Sequence, residues 1–243
     1  MSAPISKQPI ADPFDDFDLV CDFPHSAGTF SELRRYVRAI HEFLPHASAQ
    51  QAIRVGARLK QEDDSVRVGE LAYELETINA DSQVSLPRLI WGGVLVTVFG
   101  AYESSVIQTI RHWQKTTGHP EAFEKIGRRD ILKVAKDYSD RHIGVALFEG
   151  EGLHHIVTEL KSFRKSFAHG SGLLSDLPAD LVAAIKRQKH PGVSMAVEDG
   201  KWVANARSAA FYLLNIEKAS ATFGSAVLGK CLAHRHHTLI TAQ

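Results

Sequence analysis

Apolar residues recur every three to four positions along most of this chain, a period that predicts helices. Thr29 with Glu32 forms a capping-box pattern, and Leu33, Tyr36, Val37, Ile40 and Leu44 then line one face until Pro45 stops the helix. Ser48 with Gln51 opens a second helix to about Leu59, and a third spans Ser65 to Asn79 with Val68, Leu71, Ala72, Leu75 and Ile78 on one side. Pro87 then begins a run that stays apolar nearly all round until Glu103, the pattern of a central helix. A further stripe from Ile131 to Phe148 holds Val134, Ala135, Tyr138, His142 and Val145. The next runs from Leu153 to His169 through Ile156, Val157, Leu160, Phe163 and Phe167, and Gly170 and Gly172 close it.

After a short helix over Asp180 to Lys189 the period changes. Residues 193–204 read as two strands joined through Asp199-Gly200, a hairpin signal, and a last helix follows from about Arg207 to Leu228. The expected fold is all-α, a helical bundle with one small hairpin. Four parts follow: an acidic, mobile segment over 1–28, helices over 29–85 packed on the core, a main helical domain over 86–230, and a His-rich tail over 231–243.

Charge sharpens the division. The whole chain is formally neutral, but residues 1–28 set five aspartates against Lys7, so they hold −4 and the body +4. Anionic ligands therefore belong to the body, and neutrality argues against non-specific coating of nucleic acid. In the acidic segment, Phe14 and Phe17 are the groups able to dock on a surface. Cys21 and Cys231 form neither a disulfide framework nor a thiolate zinc pattern. No secretory signal precedes the first helix, and the uncharged run Leu89 to Tyr102 is too short to cross a bilayer. The expectation is a cytoplasmic protein without membrane contact.

Neither a dinucleotide fingerprint nor a P-loop appears, and HGSG at 169–172 lacks the GxSxG elbow an esterase requires. No cofactor is expected. Among the 13 histidines, His154 and His155 are adjacent and so diverge on a helix. Cys231, His234 and His237 recur at three-residue intervals, but with no fourth ligand they read as a solvated tail rather than a zinc site.

The reactive stretch is FRKSFAHGSG, 163–172, which holds Arg164 and His169 with four residues between them. An imidazole moves protons near neutral pH and a guanidinium grips phosphate oxygens in a fork. Lys161, Lys165 and Ser166 stand beside them as substrate-binding groups. Glu103 follows 14 uncharged residues, so its carboxylate needs a partner, and Arg164 is the expected one. Whether that contact is a structural ion pair or an orienting device stays open at this point.

An Arg, a short spacer and a His near the end of a late helix resemble the mark of the HEPN superfamily (higher eukaryote and prokaryote nucleotide-binding). The aromatic-acidic positions Phe99, Tyr102 and Glu103 on an earlier apolar helix are also similar to it. The resemblance covers about residues 86–230. It implies an all-helical domain acting as a homodimer, and a metal-independent endoribonuclease that cleaves RNA by 2′-hydroxyl attack. Arg164, His169 and Glu103 would form its catalytic set. A toxin or phage-defence role, with an antitoxin protein as partner, goes with that reading. The chain departs from active members at Lys165, where they often carry Asn, Asp or His. It has Ser171 where one subgroup has a tyrosine controlled by adenylylation. The alternative implied is a catalytically silent module that binds a nucleotide or a protein.

Overall fold

The computed structural model describes residues 27–121, 123, 130–148, 151–170, 172–191, 193–195 and 200–241. The segment carrying Phe14, Phe17 and Cys21, the Asp199 side of the hairpin turn, and the first two residues of the EGEG loop lie outside the described residues.

Within them the protein is all-α, with seven helices and one two-stranded antiparallel ribbon. α1 spans Ala27–Leu59, α2 Ser65–Ala80, α3 Leu86–Thr117, α4 Ile131–Tyr138, α5 Glu151–Gly170, α6 Ala179–Lys186 and α7 Ala206–Thr241. β1 (Val193–Met195) pairs with β2 (Trp202–Ala204) in the register Val193 opposite Ala204 and Met195 opposite Trp202. The hairpin expected from the change of period is therefore present.

α3 is the axis of the fold. Trp91, Leu95, Val98, Phe99, Tyr102, Val106 and Ile110 are buried along it, against α5 on one side and α7 on another. By length and composition alone α3 would be able to cross a membrane, yet half of its apolar window is already covered by protein. Covering comes chiefly from Ala209, Leu213, Ile216 and Phe223 of α7 and from Val157, Leu160 and Phe163 of α5, all in one core. Burial of this kind contributes about 1.5–3 kcal/mol per large side chain and dominates the stability.

α5 packs tightly on α3 at Gly92, which is buried and where a Cβ would overlap the Phe167 ring. Gly93, one residue on, has nothing within 4 Å of its Cβ direction. Gly92→Ala should cost about 1–3 kcal/mol through overpacking. Gly93→Ala should be neutral or stabilising by up to about 1 kcal/mol through helix propensity. Equal urea midpoints for the two variants would contradict this packing.

Several boundaries differ from the sequence expectation. Pro45 does not stop α1; the expected first and second helices are one. Pro45 is solvent-exposed, so water can serve the backbone acceptor that its missing N–H leaves open. Tyr36 and Ala72, expected on apolar stripes, are exposed. Beyond Pro45, α1 packs on α2 through a small separate cluster of Val55, Leu71 and Ile78, and α2 is capped by Asp64, whose carboxylate accepts from the Val66 N–H at 2.9 Å.

The stripe from Ile131 to Phe148 is helical only to Ile143. It ends in a π turn (Ser139–Ile143), because Gly144 adopts φ +67° and closes it. At the C-terminus α7 continues through Thr241, so residues 231–241 form a helix rather than a loose tail, and Cys231 is buried in the core. An unforeseen ion pair ties α1 to α7: Arg34 lies 3.2 Å from Glu217, a carboxylate almost wholly buried.

Candidate functional site

α5 carries the candidate chemistry because one of its faces is apolar and the opposite one is not. Val157, Leu160 and Phe163 face the core, whereas His154, Thr158, Arg164 and Lys165 are exposed. Arg164 reaches across to α3. Its guanidinium lies 3.9 Å from the Glu103 carboxylate and 5.2 Å from the centre of the Phe99 ring. Glu103 thus meets the partner its place in the apolar run required. The Arg164 side chain remains 46% exposed and Glu103 19%, so the cation is held at one edge and open at the other. An aromatic face beneath and a carboxylate beside it fix the fork without neutralising its outer N–H groups. Tyr102, beside Glu103 in sequence, points the other way. It is fully buried, its hydroxyl has no hydrogen-bond partner among the described residues, and burial pushes its pKa far up.

His169 lies in the last turn of α5, and its side chain is outside the described part of the structure. The helix is continuous through Gly170. Positions 164 and 169 therefore stay about 140° apart around its axis. They do not come onto one face through an early unwinding of the helix end.

Ser166, expected among the substrate-binding groups, is instead fully buried. Its hydroxyl donates to the Leu173 carbonyl at 2.7 Å and accepts from the Trp202 indole N–H at 3.1 Å. Its inward place between Phe163 and Phe167 on the helix makes it a fastener. Three backbone bonds complete the lock: Gly172 N–H to Ser166 C=O (3.2 Å), Trp202 N–H to Gly172 C=O (2.9 Å) and Leu174 N–H to Gly200 C=O (2.9 Å). Gly172, at φ +90°, sits against the Trp202 indole, a turn that disfavours a side chain. The end of α5 is thus stitched to β2.

Of the expected lysines, Lys165 is exposed and Lys161 is ion-paired with Asp130. Partial burial works against ionisation of Asp130, but the Lys161 ammonium and the backbone N–H groups of Leu132 and Lys133 outweigh it and lower its pKa. Asp130 stands at the N-terminal boundary of α4, so its pair with Lys161 ties that helix start to α5.

Sequence reasoning missed a second group on α5. Glu159 accepts from the Tyr212 hydroxyl at 3.1 Å, and His190 Nε2 stands 2.9 Å from the same hydroxyl. A carboxylate only accepts, so Tyr212 donates to Glu159 and His190 must donate to Tyr212. His190 Nδ1 is then left buried, with no hydrogen-bond partner among the described residues. Burial first, then the Glu159 charge and hydrogen bond, raise the Tyr212 pKa well above its ordinary value. The other Glu159 oxygen lies 3.5 Å from His155 Nδ1. The one sequence signal for this group was Glu159 itself, a carboxylate between the inward-facing Ile156 and Leu160.

No three His, Cys, Asp or Glu side chains among the described residues converge as metal ligands. Cys231 faces the core, His234 is exposed, and the His237 side chain lies outside the described part. Comparisons with protein-family models, curated proteins and solved structures found no match for this chain.

Proposed function

We propose that this protein is a cytoplasmic, HEPN-like endoribonuclease that needs no metal and works as a homodimer. The observation that carries the reading is Arg164: an exposed guanidinium fixed by Glu103 and Phe99 at the end of a late helix, five residues before a histidine. RNA brings its own nucleophile, the 2′-hydroxyl, so cleavage requires proton transfer and charge stabilisation only. His169 moves the proton. Arg164 stabilises the charge that develops on phosphorus oxygens in the transition state. Glu103 orients Arg164, and Lys165 meets a flanking phosphate. Ser166 serves by locking the helix end rather than by touching substrate. Because positions 164 and 169 sit on different sides of one helix, a second copy completes the site. A toxin or phage-defence role, with an antitoxin protein as partner, is the biological setting this reading favours.

A second reading, a catalytically silent module that binds a nucleotide or a protein, is favoured by the unbroken helix through Gly170 and by Lys165 after the arginine. One experiment separates them. Purified protein is incubated with a mixed RNA pool in EDTA, and its mass is measured by sedimentation. The first reading expects cleavage that survives the chelator and a dimeric mass. A dimer that leaves RNA intact favours the silent module. Activity lost in EDTA and restored by zinc would overturn the metal-free mechanism.

A further inference from the structure

A groove of about 860 Å³ opens where Ala146–Phe148, just past the π turn, face the N-terminal half of α5. That volume lies within the range of small-molecule sites. Its floor is apolar, with Leu147 buried and the Phe148 ring set edge-to-face against His154 at 5.1 Å. Lys136 and Asp140 on the far wall pair with each other at 2.6 Å, so that wall carries no net charge. The polar side is His155. Its Nδ1 faces the acceptor-only carboxylate of Glu159, so the neutral ring carries its proton there and presents an Nε2 lone pair. Glu159 is itself held by Tyr212 of α7 and, beyond it, by buried His190 in the connection after α6, so the carboxylate that faces the imidazole is fixed from behind.

A floor of rings, a neutral wall and a fixed acceptor suit a flat heteroaromatic ring with N–H donors on its edge. The exposed flank of α5 then runs from this groove past Lys161 to Lys165. Thr158 of the groove and Lys165 are seven residues apart, about 10.5 Å along the helix and within about 20° around it. With Lys161 paired to Asp130, the exposed Lys165 is the cation on this flank, and an ammonium beside a ring-lined groove is an arrangement that holds phosphate and base together. We propose that the groove is a nucleobase site, with the base against Phe148 and an N–H donated to His155 Nε2. This rests on the RNA reading above for one point only, that a strand seated in the groove would extend along the flank toward Lys165.

The test is calorimetric titration with adenosine monophosphate, uridine monophosphate, ribose 5-phosphate and a short 2′-deoxy oligonucleotide that cannot be cleaved. Phe148→Ala, Phe148→Trp and His155→Ala are compared with the unaltered protein, and circular dichroism checks folding. Expected is binding of the base-bearing probes, weakened roughly tenfold or more by Phe148→Ala and His155→Ala and retained by Phe148→Trp. Binding of the oligonucleotide alone would mark the occupant as a base of a strand; mononucleotides binding equally well would mark a free nucleotide. Ribose 5-phosphate binding as tightly as the nucleotides, or both alanine variants binding like the unaltered protein, would overturn the site. RNA cleavage with unchanged binding in those variants would sink the groove and spare the ribonuclease. Ring-dependent binding without cleavage would do the reverse.

Discussion

His169→Ala should lower RNA cleavage by roughly a hundred- to ten-thousand-fold, the usual cost of removing a proton-transfer group. Arg164→Ala should fall in a similar range through lost stabilisation of phosphorane charge. Neither change should unfold the protein. Arg164 is nearly half exposed and its pair with Glu103 spans 3.9 Å, a contact worth at most about 1 kcal/mol at such a surface. The measurement is single-turnover cleavage of a labelled RNA, with circular dichroism as the folding control. A His169→Ala protein that cuts as fast as its parent would remove the catalytic assignment. Mixing the two inactive variants offers a sharper check, because a site completed across two copies should regain part of its activity in the mixed dimer.

The largest effect on stability should come from Trp202→Ala. Trp202 is fully buried, packs edge-on against Phe163 at 4.8 Å and near Phe167 at 6.0 Å, and donates its indole N–H to Ser166. Truncation of such a side chain costs about 3–5 kcal/mol. In a chain of this size that lowers the melting temperature by roughly 6–20 °C. It also frees the Ser166 hydroxyl and loosens the stitch that holds the end of α5, so activity should drop at temperatures where the variant is still folded. Thermal unfolding and cleavage assayed below the transition test the two parts. A cost under 1 kcal/mol would mean that Trp202 is not the pin.

The readings that held share a local cause. A carboxylate at the end of a long apolar run needs a cation, and Glu103 found Arg164. A period of two around a Gly turn made the ribbon of β1 and β2. The readings that failed depended on what surrounds a residue. Pro45 stops a helix only where its missing N–H cannot be served, and its exposed position lets α1 continue. Gly144 cut the stripe from Ile131 to Phe148 because it takes a left-handed turn, although Val145 beyond it is still buried. Ser166 looked like a surface hydroxyl beside two cations, but its register on α5 places it inward. The Glu159–Tyr212–His190 chain joins residues 53 and 22 positions apart, and only the packing of α5 on α7 brings them together. The functional reading grew from a short motif, and its support is the Arg164 guanidinium held by Glu103 and Phe99.

α7 supplies a wall to α1, α3 and α5 at once, and it is made after all three. That arrangement sets a timetable for synthesis. From the end of α3 to Val227, the last large aliphatic residue of α7 in the core before Cys231, a ribosome must add roughly 110 residues, a delay of roughly 5–20 s at ordinary elongation rates. Through that interval the nascent chain presents one apolar flank of α3 with nothing to cover it, and Arg34 waits without Glu217. A protein built this way emerges from the ribosome sticky, and α5 gains a firm seat only after α7 has docked.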